Sequence, residues 1–213
     1  MKLLDILARA TRLMQDESYT TNPRNLYVDS INEAQKRITE STKIFYDLYT
    51  INSVNGTQLY LLPDDFMEFM QNARAVIYED ASAKESQMLE RPYEYLSQFD
   101  NFRTKSESPS SYWVEGRYIG FYPIPDYDGT DNIKIEYYKY PAELVNDSDI
   151  SLFPDQYLMP IAYLTASIVY EKNERYEEKG YYQMRADERL NEITNTTHFQ
   201  NNTQKLTSFN YTG

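Results

Sequence analysis

The chain of 213 residues contains no cysteine, which excludes disulfides, thiolate nucleophiles and cysteine-ligated metals in one step. Its single histidine, His198, leaves most zinc sites and histidine-based triads without their parts, and its polar surroundings fit a surface position. Basic residues are in deficit, 21 against 33 acidic, for a net charge of −12. A surface of that sign repels phosphate backbones and argues against sequence-specific nucleic-acid binding, although DNA can slide past it without sticking. No apolar run approaches the length that crosses a bilayer, so no membrane association is expected. The opening residues are briefly apolar, but Asp5 and Arg9 interrupt them and no signal-peptide pattern follows, so a cytoplasmic protein is expected. The sequence carries no glycine-rich phosphate loop, nucleophile elbow or metal-binding helix motif. No cofactor, metal or catalytic residue is therefore expected, and the chain reads as no enzyme.

What is present is a capacity to fold and to make contacts. Hydrophobic residues make up 41% of the chain, enough for a core. Tyrosine is unusually frequent, at 22 residues. Its ring is apolar and its hydroxyl tolerates water, which suits protein interfaces, while half-buried strands also favour it. Both uses are expected, because many of the tyrosines fall on helical segments.

The period of the apolar residues changes twice. Leu3, Ile6, Leu7, Ala10, Leu13 and Met14 make one face of a helix over 2–17. Asn22 and Pro23 can open a second helix over 23–48, in which Tyr27, Ile31, Ala34, Ile38, Phe45 and Leu48 form a seam. A β insertion is expected over 50–141. It contains a hairpin around Asn55-Gly56 with a type I′ turn, a strand over 75–78, a helical turn near 92–99 and a second hairpin around Glu115-Gly116. The clearest strand is 132–140, with Ile133, Ile135 and Tyr137 on one face and Lys134, Glu136 and Tyr138 on the other. Helices return over 154–173, with Pro160 near the first turns, and over 178–194. The last residues, 195–213, are rich in Asn and Thr and read as an extended tail. The expected fold is α+β and mainly helical. Terminal helices form a bundle core, a central β insertion of hairpins projects from it, and 1–194 make one domain.

Three acidic groups invite a chemical reading. Asp64 and Asp65 follow Pro63, but adjacent carboxylates do not flank a substrate, and capping of a following helical turn is the better account. Asp126, Asp128 and Asp131 around Gly129 lack the order of a calcium loop, whose twelfth position here is Tyr137, so a solvated turn is expected. Asp147 and Asp149 precede Pro154 and are expected to cap its helix or complement its dipole.

Four passages, taken in order, resemble the tail-proximal head-completion proteins of tailed phages, the adaptor family that docks beneath the portal. They are Asp29-Ser30-Ile31-Asn32-Glu33-Ala34-Gln35-Lys36-Arg37-Ile38 and Tyr60-Leu61-Leu62-Pro63-Asp64-Asp65-Phe66-Met67-Glu68. Then come Ser108-Pro109-Ser110-Ser111-Tyr112-Trp113, with Gly120 to Pro125 and the aromatic strand after it, and Leu152-Phe153-Pro154-Asp155-Gln156-Tyr157. No single motif is specific; their shared order carries the resemblance, over 29–193. It implies a virion structural protein, assembled in the host cytoplasm as a ring of about twelve copies by head-to-tail contacts. The partners implied are the portal, a tail or second adaptor protein, and genomic DNA passing through the lumen without specific binding. Leu206, Phe209 and Tyr211 in the tail are expected to anchor on the portal. The competing readings are a phage-associated glycan hydrolase and a glycan- or peptide-binding module.

Overall fold

The computed structural model describes residues 1–70 and 75–208, with side chains to residue 195. The chain divides into two units, Met1–Thr42 with Pro141–Gly213, and Lys43–Tyr140.

In the first unit, α1 (Leu3–Leu13) buries Leu3, Ile6, Leu7, Ala10 and Thr11 along the face read from the sequence. It stops four residues short of the expected end. The chain turns out of the helix at Gln15, which takes a positive φ of 55°. Helix α2 (Arg24–Thr42) buries Tyr27, Ile31, Ala34 and Ile38, but it too ends early. Lys43 adopts φ 50°, and Tyr46–Ile51 continues as a strand. Phe45 and Leu48 are three apart and so mimic a helical seam, while Tyr49 and Ile51 alternate as a strand requires. A 3-10 turn, Asp155–Tyr157, leads into α4 (Leu158–Lys172). This helix packs against α1, α2 and α5 (Tyr176–Ser208). Covered on several sides, α4 is apolar nearly all round and buries ten of its fifteen residues. Pro160 is tolerated there because a first-turn N–H has no intrahelical acceptor. Helix α5 runs fourteen residues beyond the expected end at Thr194. No proline or glycine falls between Gly180 and Gly213 to stop it.

Among its described residues the second unit has nine strands in two sheets. One has the order β1 (Tyr46–Ile51), β9 (Ile133–Lys139), β4 (Val76–Glu79), β5 (Glu85–Gln87), with β3 (Phe66–Phe69) also paired to β9. The other has the order β2 (Leu59–Leu61), β8 (Tyr118–Tyr122), β7 (Ser111–Glu115), β6 (Leu89–Glu90). Tyr60, Tyr112, Ile119 and Phe121 from the second sheet, with Leu62 just after β2, share one core with Val76, Tyr78, Ile133, Ile135 and Tyr137 from the first. A short helix, α3 (Tyr93–Leu96), places Leu96 with Phe102 and Trp113 in a separate cluster. Trp113 lies so close over Gly120 that a β-carbon there would stand 2.2 Å from the indole.

These findings correct the expected fold class. Among the described residues five helices stand beside nine strands in two sheets, so the chain is not mainly helical with a bundle of terminal helices as its core. The middle of the chain has a core of its own because alternate residues of both sheets face inward. The Asn55-Gly56 segment is a turn, but it joins β1 and β2, which belong to different sheets, and makes no hairpin. Gly56 alone is left-handed there, at φ 79°, and the Thr57 N–H closes on the Val54 carbonyl at 2.9 Å, as in a type II turn. The expected second hairpin pairs β7 with β8. Gly116, at φ 60°, takes the first central position of its two-residue turn.

Candidate functional site

The acidic residues singled out in the sequence are held in turns and ion pairs. The Phe66 N–H donates to the Pro63 carbonyl at 3.1 Å, so Pro63-Asp64-Asp65-Phe66 is a turn into β3 and caps no helix. A strand follows because Phe66 and Phe69 pack on the β9 side, Phe66 stacking on Tyr137 with centroids 5.7 Å apart. Asp65 accepts the Tyr137 hydroxyl at 2.9 Å, and exposed Asp64 pairs with Arg117.

Around Gly129, Asp128 accepts the Asn55 N–H and Asp131 the Thr50 hydroxyl, both at 2.8 Å. Asn132 closes the same region, accepting the Ser53 N–H at 2.9 Å and donating to Ser53 and Tyr127. Asp128 and Asp131 thus each spend one carboxylate oxygen on tying this turn to 50–55. Among the described residues no group of three or more His, Cys, Asp or Glu is placed to hold a metal.

Asp147 and Asp149 serve a different helix from the one expected. Their carbonyls accept the N–H groups of Leu4 (3.4 Å) and Leu3 (2.9 Å), which opens α1 and not α4. The Asp149 carboxylate accepts the N–H groups of Asn146 and Val145, which hold it below the usual carboxylate range. Asp147 pairs with Arg24.

The most heavily bonded carboxylate, Asp16, was not singled out by any sequence motif. It is 3% exposed and accepts from Thr20, the Thr21 and Asn22 N–H groups and the Tyr27 hydroxyl, at 2.9–3.1 Å. Burial alone would raise its pKa, but these donors outweigh it and hold the group at about 2. Asp16 pins the connection from α1 to α2.

Tyrosine is found both in the core and on the surface. Tyr27, Tyr60, Tyr78, Tyr112, Tyr137 and Tyr157 are buried, and burial pushes their hydroxyl pKa values up. Tyr46, Tyr95, Tyr118, Tyr176 and Tyr181 are exposed. Exposed apolar side chains gather on ordered elements. In the first unit these are Leu4, Val145, Ile150 and Leu152 at the start of α1 and the loop bonded to it, and Tyr176, Tyr181 and Met184 on α5. In the second unit they are Tyr46 and Leu48 on β1, and Leu59, Leu61 and Tyr118 on one face of β2 and β8. Exposed apolar side chains grouped along one element in this way are candidates for contact. Charge is unevenly shared, since 43–140 carries sixteen acidic against nine basic residues.

Of the expected anchors, Leu206 lies on the last turn of α5, where only the backbone is described, and Phe209 and Tyr211 lie outside the described residues. Among the described residues no helix is long and apolar enough to cross a membrane. The model of the SU10 adaptor protein family matches residues 1–207. No curated protein matches the chain.

Proposed function

We propose that this chain, which belongs to the SU10 adaptor protein family and is a phage adaptor protein, assembles as a ring beneath the portal, extends the DNA channel and receives the tail. Its role is structural, as a component of the virion. The observation that carries this reading is the display of apolar side chains on β1, the β2–β8 face, the loop at 145–152 and the start of α5. Pre-ordered apolar surfaces lose little entropy on docking, and a closed ring needs two complementary ones in each subunit. The acidic excess suits a lumen through which DNA passes, because like charges form no phosphate contacts.

The two units and the tail act as one adaptor subunit, with Leu206, Phe209 and Tyr211 as its portal anchors. Helix α5, at 33 residues, spans about 50 Å, against about 22 Å for the fifteen residues of α4. It can therefore carry the chain end well past its packing partner.

The test is assembly on a template. Alone, the acidic subunit repels its copies and should be monomeric or weakly associated; with the cognate portal it should form rings visible by electron microscopy. Monomers that never co-sediment with the portal at any salt concentration overturn the reading.

A further inference from the structure

We infer that neighbouring copies join by sheet continuation, β1 of one subunit adding to β5 of the next. This rests on the ring reading above and names the surface that closes it.

The backbone alternation of β1 is fixed by its pairing. The Lys139 N–H donates to the Phe45 carbonyl at 3.1 Å, and the register runs from Tyr46↔Tyr138 to Ile51↔Ile133. Asp47, Tyr49 and Ile51 therefore turn their N–H and C=O groups toward β9, and Tyr46, Leu48 and Thr50 turn theirs away. The other side of β9 agrees, since the Glu136 N–H donates to Ala75 at 2.8 Å. Of the outward groups, the Leu48 N–H is held by its own Asp47 carboxylate at 2.9 Å. Those of Tyr46 and Thr50 have no backbone partner among the described residues. Natural edge strands are blunted by proline, charged side chains, bulges or a covering element. β1 is six residues long with no proline, lysine or glycine; its one charge, Asp47, is paired with Lys139, and it exposes Tyr46 and Leu48. Such an edge accepts extended main chain.

β5, at the opposite end of the same sheet, supplies the second edge. The N–H groups of Asp80 and Met88 donate to Lys84 and Val76, each at 3.0 Å, so Gln87 turns its backbone outward. A groove of about 290 Å³ opens here, lined by Ile77, Glu85, Ser86 and Gln87. The pairings Thr50↔Lys134, Ile77↔Lys134 and Ile77↔Gln87 put Ile77 and Gln87 on the sheet face that carries Tyr46, Leu48 and Thr50. One added strand lays an exposed Tyr46 or Leu48 beside that groove. Charge favours the same arrangement. Residues 79–90 carry Glu79, Asp80, Glu85 and Glu90 against Lys84. Although Lys134 pairs with Glu79 and Glu85, the β5 edge stays net acidic, which disfavours two such edges meeting, whereas 43–51 balances Lys43 with Asp47. Two different edges on opposite sides of one sheet make a head-to-tail contact, which closes into a ring if the rotation allows.

The absence of cysteine makes disulfide trapping free of background. Tyr46, Leu48 and Thr50 are replaced singly by cysteine and mixed with chains carrying Glu85→Cys or Gln87→Cys, on the cognate portal, under mild oxidation. At least one mixture should give a covalent dimer about tenfold above either variant alone, since only adjacent strands bring α-carbons within disulfide reach. Tyr46→Pro, whose lost N–H points away from β9, should keep the wild-type melting temperature yet fail to assemble. Rings that form with no mixed cross-link, Leu48→Cys cross-linking to itself as efficiently as to its mixed partner, or full assembly of Tyr46→Pro would overturn sheet continuation and leave the ring reading standing. Neither rings nor cross-links would overturn both.

Discussion

Replacing Asp16 by asparagine is expected to destabilise the first unit by about 2 kcal/mol at neutral pH. The carboxylate is held at about 2 against an ordinary 3.8, and each tenfold change in protonation is about 1.4 kcal/mol, so the ionised form contributes about 2 kcal/mol to folding. Asparagine keeps the shape but turns an amide N–H toward the Asn22 N–H and the Tyr27 hydroxyl, which now donate at 2.9 and 3.1 Å. The pH dependence has a definite sign. A depressed carboxyl stabilises fully above its unfolded pKa, and the contribution is lost as pH falls through the folded value. The gap between wild type and Asp16→Asn should be constant from pH 7 down to about 4 and then close toward pH 2. Urea unfolding followed by circular dichroism across that range measures it. A variant within about 0.5 kcal/mol of wild type at pH 7, the scatter typical of surface changes, would refute the reasoning. So would a gap that fails to narrow below pH 4.

Tyr137→Ala removes a ring that is buried between the sheets, stacked on Phe66 and bonded to Asp65. It should cost about 3 kcal/mol or more, and an unchanged thermal midpoint would place the β9 register one residue out. Gly120→Ala sets a β-carbon 2.2 Å from the Trp113 ring. Overpacking there should cost about 3 kcal/mol and shift the tryptophan fluorescence, and a wild-type spectrum and midpoint would contradict the Gly120–Trp113 packing. Deleting everything after Thr197 should leave the unfolding transition of the core intact and abolish portal binding in a pull-down; full affinity would reduce the tail to a solvated end.

The sequence alone determined the features that depend on neighbours along the chain. The alternation of Ile133, Ile135 and Tyr137 fixed the buried face of β9, the spacing of Leu3, Ile6, Leu7 and Ala10 fixed that of α1, and Glu115-Gly116 marked a true hairpin. The ordered passages from Asp29 onward pointed to the family that the match over 1–207 shows. Tertiary structure decided whatever depends on which segment meets which. Phe45 and Leu48 suit a helix by spacing, and only pairing with β9 made their segment a strand. Asn55-Gly56 has the chemistry of a hairpin turn, yet its flanking strands pair with β9 and β8, and those partners lie more than fifty residues away. A run of Asn and Thr reads as a tail by composition, while the lack of any helix breaker let α5 continue to Ser208. The open edges at β1 and β5 were hidden for the same reason, because being last in a sheet is a property of the strand order and of no residue within the strand.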